Sequence, residues 1–178
     1  MAREAVVVEA VRTAVGKRGG GLSTAHAADL SADVLRALAH RTGIDPAVVD
    51  DVIWGCVGQV GDQSSNIGRF AVLAAGWPES IPGTTVNRAC GSSQQAVDFA
   101  VAQIISGAQD VVVAGGVEVM SRVPLASNAR GGLGPFPPSF MEHVQGRLWT
   151  QFRVSQVLAD RYGITREDMD AYALVTEQ

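Results

Sequence analysis

The sequence predicts an α/β fold: a mainly parallel βαβαβαβ sheet with helices on both faces, followed by the start of an inserted loop domain. Three features point there. Short apolar runs, rich in β-branched residues, alternate along the chain with segments whose apolar residues recur at helical spacing. That alternation is the pattern of parallel strands joined by crossover helices, and the short connections, as at residues 107–109, suit such units. Beyond Glu118 the alternation stops and Pro, Gly and Ser become frequent. The expected organisation is therefore an α/β domain over residues 1–118 and the beginning of an inserted loop domain over 119–178.

The first strand is expected at residues 5–11, AVVVEAV, which are β-branched and nearly continuous in apolar character, as in a buried strand. A helix follows over 31–41, where Leu30, Val34 and Leu38 share a face and Gly43 supplies a C′ residue. Asp45 before Pro46 is an N-cap with proline at N1, so a short helical turn belongs at 45–50. The second strand candidate is DVIWGCVGQ at 51–59, weakened by Gly55 and Gly58. Over 66–75 a helix places Ile67, Phe70, Ala71 and Ala74 on one face and closes at Gly76-Trp77-Pro78. GTTVN at 83–87 is the third strand. A helix led by Cys90 then runs to Ser106 and ends at Gly107, and DVVVAGG at 110–116 is the fourth strand, apolar on both faces.

In 119–153 the stretch GGLGPFPPSF at 131–140 is too broken for regular structure. Four arginines in this region, Arg122, Arg130, Arg147 and Arg153, face a single acid, Glu142. A basic surface of this kind suits a phosphate-bearing ligand, and solvated loop charge gives the same pattern. The last segment holds two helices split by Gly163. Thr165 caps the second, with Asp168 three positions on as an imperfect capping box, and this helix runs on to Gln178 without a stop signal.

Composition excludes several classes. With 178 residues, 47% apolar and 18% charged, the chain is balanced like a globular domain rather than a disordered one. A net charge of −4 leaves no electrostatic footprint for nucleic acid as a partner. No apolar run reaches the roughly 18 residues of a transmembrane helix. The N-terminal apolar run is interrupted by Glu9 and Arg12, unlike the core of a signal peptide, so a cytoplasmic setting without a membrane partner is expected. Cys56 and Cys90 have neither metal nor redox spacing, so no metal is expected and both are read as free thiols.

The two cysteines differ in context. Cys56 lies inside an apolar strand candidate and reads as a small buried hydrophobe. Cys90 precedes Gly91-Ser92-Ser93 and a helix whose Ala96, Val97, Ala100, Val101 and Ile104 share a face, which puts it at a helix N-terminus. The unpaired N–H groups there stabilise a thiolate and can hold an oxyanion formed on an attacked carbonyl. Gly91 leaves the sulfur sterically open. A nucleophile at a strand-to-helix bend has the logic of the nucleophile elbow without its serine motif. Buried filler remains the alternative reading.

VNRACGSSQQAV at 86–97, followed by GAQDVVVAGGVEVMSRVP at 107–124, resembles the thiolases, the acetyl-CoA acetyltransferase family. The family pattern is Asn, two variable residues, a nucleophilic Cys and Gly/Ser-rich positions opening a helix. Its next strand ends Ala-Gly-Gly-x-Glu-x-Met-Ser, matched by Ala114 to Ser121. VEAVRTAVGKRGGGL near the N-terminus and YGITREDMDAYAL near the C-terminus also resemble family segments, so the likeness covers most of the chain in order. The resemblance implies Claisen chemistry on coenzyme A thioesters, with Cys90 as the acylated nucleophile and the Cys90 backbone N–H in one oxyanion hole. It implies acyl-CoA and coenzyme A as substrates, no cofactor, a homo-oligomer (dimer or tetramer), and an N-terminal portion of a longer chain.

Two departures from the family pattern bear on function. Thiolases carry their remaining catalytic groups, a Gly-His-Pro histidine and a second cysteine, in a second, related half, and this chain is read as holding neither; its histidines are His26, His40 and His143. The isolated chain is therefore expected not to complete turnover. Where many members have Met-Gly in a segment lining the acyl and pantetheine site, this chain has Gln151-Phe152. That makes these two residues candidates for substrate binding and for admitting a bulky acyl group, such as a branched or steroid-derived side chain. The alternatives are a non-catalytic thiolase-like half that binds a partner chain, and a ketoacyl-synthase-like condensing enzyme.

Overall fold

The computed structural model describes residues 3–176. They form two compact units, one reaching to Arg130 and one beginning at Gly131.

The first unit is built on a three-stranded parallel sheet of β1 (Asp51–Gly55), β2 (Gly83–Val86) and β3 (Val112–Gly116), in the order β2-β1-β3. The central strand β1 is buried along its whole length. Its pleat sends Val52, Trp54 and Cys56 into one core with α1 (Ala27–Thr42) and α2 (Ile67–Ala74). Ile53 faces the other way, onto Ala96 and Ala100 of α3 (Ser92–Ser106). Helices thus cover both faces, the arrangement parallel sheets require. Trp54 is 2% exposed, and its indole N–H donates to the buried Ser31 Oγ at 3.0 Å, so α1 is tied to the sheet by a satisfied polar contact as well as by packing.

Capping explains the boundaries. The α1 helix starts earlier than residue 31 because His26 acts as its N-cap, Nδ1 accepting from Ala28 N–H at 3.2 Å, and it ends at Gly43 in the left-handed region. Asn66 caps α2 through Oδ1, and Asp45 caps the short 3₁₀ turn Pro46–Val48. Gly107, at φ 78°, ends α3. On α2 the buried residues are Ile67, Gly68, Ala71 and Val72, while Phe70 is 46% exposed. Asp50 Oδ2 accepts from the N–H groups of Asp110 and Val111 at 2.7 and 2.9 Å, pinning the start of β3 beside β1; those donors hold its carboxyl below the usual carboxylate range.

One element differs from expectation. Residues 5–11 form no strand, and Val6, Val7 and Val8 are 72%, 82% and 80% exposed. Among the described residues the segment takes no part in the sheet's hydrogen-bond ladder. Side chains tether it instead: Arg3 to Asp110 and to the Gln109 carbonyl, and Glu9 to Arg41 at 3.2 Å. Strand propensity reports fit to a half-buried pleated surface, and β-branched residues become a strand only when a neighbour supplies the ladder. The α/β class stands, with three paired strands.

In the second unit, α4 (Pro138–His143) begins inside the stretch expected to be irregular, with Pro138 at its N-terminal turn, the one place where proline's fixed φ helps. The helices α5 (Gln151–Tyr162) and α6 (Arg166–Thr176) are split by Gly163 at φ 64°. Thr165 and Asp168 form a reciprocal capping pair: Thr165 N–H donates to Asp168 Oδ2 at 2.9 Å, and Asp168 N–H donates to Thr165 Oγ1 at 3.2 Å. The Thr165 donors hold the Asp168 carboxyl below its ordinary range. The expected continuation of this helix to Gln178 lies outside the described residues. No described helix is long and apolar enough to cross a membrane.

Candidate active site

The chain must turn from β2 to α3 within residues 87–91, and the backbone N–H and carbonyl groups of Arg88, Ala89 and Gly91 in that bend are held. Asn87 Oδ1 accepts from Ala89 N–H at 2.9 Å. Ser92, 4% exposed, accepts from Arg88 N–H at 3.0 Å and donates to the Ala89 carbonyl at 2.6 Å. Gly91 N–H donates to the Arg88 carbonyl at 3.0 Å. These contacts force Ala89 to φ 46°, a left-handed conformation that costs a non-glycine residue on the order of 1–3 kcal/mol. Cys90 follows at once, exposed and immediately before the first turn of α3. Among the described residues its N–H has no protein acceptor. A thiol and an unused N–H therefore sit together at the positive end of a helix.

Two glycines let α3 sit on the sheet. A Cβ on Gly55, the last residue of β1, would lie 2.5 Å from Ser92 C and 2.5 Å from Ser93 N. One on Gly116, the last residue of β3, would lie 2.5 Å from the Gly55 carbonyl oxygen and would also strike Ser93 Oγ. Gly55, one of the two glycines that weaken the second strand candidate in the sequence, thus admits the helix backbone at the site. Asn87, Ser92 and these two glycines are positioning groups, a role that the motif reading, which quoted them, did not assign. The available signals were an Asn two residues before the bend's N–H, a hydroxyl in the first helical turn, and glycine at two strand ends.

Cys56 is the contrast. It is 1% exposed, and burial, with the Glu118 carboxylate second, pushes its thiol up from 9.0 to about 12. At neutral pH iodoacetamide is expected to label Cys90 and spare Cys56 in the native protein, and to label both once urea unfolds it; peptide mass mapping reads the difference. The folded state keeps the Cys56 proton that the unfolded chain loses, so this thiol's contribution to stability is complete below pH 9.0 and is lost as pH rises toward about 12. Cys56→Ala should remove that part of the alkaline fall in the urea midpoint.

The remaining residues of interest are dispersed. Arg122 pairs with Asp62 in the first unit, while Arg147 and Arg153 lie in the second and, with Trp149, line a cavity of about 200 Å³. The Arg153 guanidinium stands 5.0 Å from the Trp149 ring centroid, a cation–π distance. Gln151 and Phe152 open α5, Phe152 being 70% exposed. His143 is exposed at the end of α4, and His40 lies in the last turn of α1.

Comparison with known proteins supplies the wider setting. The family model described as Thiolase, N-terminal domain, matches residues 5–178. A steroid 3-ketoacyl-CoA thiolase, FadA6, of Mycobacterium tuberculosis is 47% identical over 182 residues, covering 98% of this chain and 45% of the relative. A beta-ketoadipyl-CoA thiolase of Pseudomonas aeruginosa is 38% identical over 192 residues, covering 100% and 48%. The crystal structure of the Bacillus anthracis acetyl-CoA acetyltransferase superposes with a TM-score of 0.79 at 34% identity, covering 97% of this chain and 45% of that one. The chain thus spans about half the length of the relatives it matches. On the family match over residues 5–178, the chain belongs to the thiolase family and corresponds to its N-terminal portion.

Proposed function

We propose that this chain carries the nucleophile of a thiolase-type acyltransferase, with Cys90 as the acylated residue. The observation that carries the reading is the placement of Cys90: exposed, at a bend held by Asn87 and Ser92, with an unused backbone N–H. The Cys90 thiolate attacks the carbonyl of an acyl-CoA. The carbon–sulfur bond to coenzyme A breaks, coenzyme A leaves and takes up the proton the cysteine gave up, and S-acyl-Cys90 remains. With a 3-ketoacyl-CoA, attack falls on the 3-keto carbon, the C2–C3 bond breaks, and the released acetyl-CoA carbanion takes up the proton. Coenzyme A thiol then attacks acyl-Cys90, regenerating the free thiol. The Cys90 N–H contributes to the oxyanion hole at each addition.

No Gly-His-Pro histidine occurs in these 178 residues, and their one Cys-x-Gly tripeptide, Cys56-Val57-Gly58, has its thiol buried, so the expected product of this chain by itself is the acyl-enzyme, without rapid turnover. Gln151 and Phe152 shape the acyl pocket for a bulky chain, a reading supported by the steroid 3-ketoacyl-CoA thiolase among the relatives. A homo-oligomer in a reducing cytoplasm completes the proposal. The test is intact-mass spectrometry after incubation with acetoacetyl-CoA. One acetyl increment, mapped to Cys90 and released by hydroxylamine, is expected. A Cys90 that alkylates readily yet gains no acyl group would favour the non-catalytic partner reading.

A further inference from the structure

A second set of contacts reaches the Cys90 bend from behind. Glu118, two residues beyond β3, accepts from Val57 N–H at 2.8 Å through Oε2 and from Gly58 N–H at 3.2 Å through Oε1. The fully buried Gln63 joins them: its Nε2 donates to Glu118 Oε1 at 2.7 Å, and its Oε1 accepts from Val119 N–H at 2.7 Å. Val57, held on its N–H side, presents its carbonyl to Asn87 Nδ2 at 3.2 Å. The same Asn87 accepts from Ala89 N–H, the residue at φ 46° that aims Cys90. A continuous hydrogen-bonded line thus runs from the Glu118 carboxylate through residue 57 to Asn87 and the bend. Among the described residues, the backbone of Arg88 and Ala89 has no side-chain anchor other than Asn87 and Ser92.

We propose that Glu118 and Asn87 act together, through residue 57, as a brace that holds the left-handed turn at Ala89 and so sets the direction of the Cys90 thiol. Both are positioning residues. The proposal rests on the reading of Cys90 as the nucleophile. The two side chains suit this role chemically. A carboxylate offers several acceptor sites and holds three donors here, and the Asn87 amide offers on separate atoms both the acceptor that Ala89 needs and the donor that Val57 needs. Without the brace, Ala89 returns to the right-handed or extended region and Cys90 swings away from the first turn of α3. Displacements of about 1 Å at a reacting group can cost as much as 100-fold in rate.

The test is a double-mutant cycle on Asn87→Ala and Glu118→Gln in the full chain. It reads the rate of iodoacetamide labelling at Cys90 at neutral pH, with Cys56 as internal reporter of unfolding. Each single variant is expected to slow Cys90 several-fold with Cys56 unlabelled, and the double variant to be no slower than the slower single, because both cut one line. Single-variant rates equal to wild type, or effects that multiply in the double variant, would overturn the brace. Cys56 labelling alongside Cys90 would overturn it too, assigning the two residues to general stability; Glu118→Gln is nearly isosteric and keeps the fold testable. Iodoacetamide needs no acyl-CoA chemistry, so the brace is judged apart from the acylation experiment above.

Discussion

Cys90→Ala is expected to abolish the acetyl increment from acetoacetyl-CoA while leaving stability within about 0.5 kcal/mol of wild type. The two halves of that result have different causes. The thiol is exposed, so its removal opens no cavity, and the bend is held by Asn87 and Ser92 rather than by the sulfur. Acylation, in contrast, needs the sulfur itself, and the chain's other thiol is no substitute: Cys56 is buried and protonated at neutral pH. An adduct persisting in Cys90→Ala would mean that acylation occurs elsewhere and would remove Cys90 from the mechanism. A large fall in the urea midpoint would instead show that the thiol has a packing role that its exposure does not suggest.

Gly55→Ala should be among the most damaging single-methyl changes in the first unit. The new Cβ would lie 2.5 Å from both Ser92 C and Ser93 N, which are backbone atoms and cannot move as a flexible side chain does. Either α3 lifts away from β1 or the strand end shifts, and β1 is buried along its length between both cores. Overpacking of this kind costs about 1–3 kcal/mol or more. The same displacement carries Cys90 with it, so labelling and acylation of Cys90 should slow in parallel with the loss of stability. Gly61→Ala serves as the control for adding a methyl group to a glycine, because no atom lies within 4 Å of its added Cβ, although its φ of 54° carries a backbone cost. A urea midpoint for Gly55→Ala no lower than that of the control would contradict the close approach of α3 to the sheet.

Much of the fold was legible in the chain. Spacing of apolar residues and the capping signals at Asp45, Gly43, Gly107, Gly163 and Thr165 located the helices, because these depend on residues a few positions apart. Cys90 was legible for the same reason: a thiol, a glycine and two serines before a periodic segment define a helix start locally. The fate of residues 5–11 was not legible. Their β-branched side chains satisfy the local pattern of a strand, but a strand is made by its neighbour, and the ladder of β1, β2 and β3 does not extend to them. The irregular look of 131–140 concealed a short helix because proline terminates helices in their interiors and favours them at their first turn.

The sequence by itself determined the α/β class, the order of the main strands and helices between residues 27 and 116, and the family, and it singled out Cys90 as the candidate nucleophile, since each is written in local periodicity or in a contiguous motif. Tertiary structure alone decided what surrounds that nucleophile. Gly55, Asn87 and Gly116 meet at the head of α3 although they come from three different strand ends, and Glu118 reaches Asn87 only through the backbone of residue 57. The two thiols, whose contexts already differ in the sequence, are exposed at Cys90 and buried at Cys56 in the fold. The physical reason is common to all of these: backbone approach, desolvation and hydrogen-bond continuity depend on distances between segments far apart in the chain, which only packing sets.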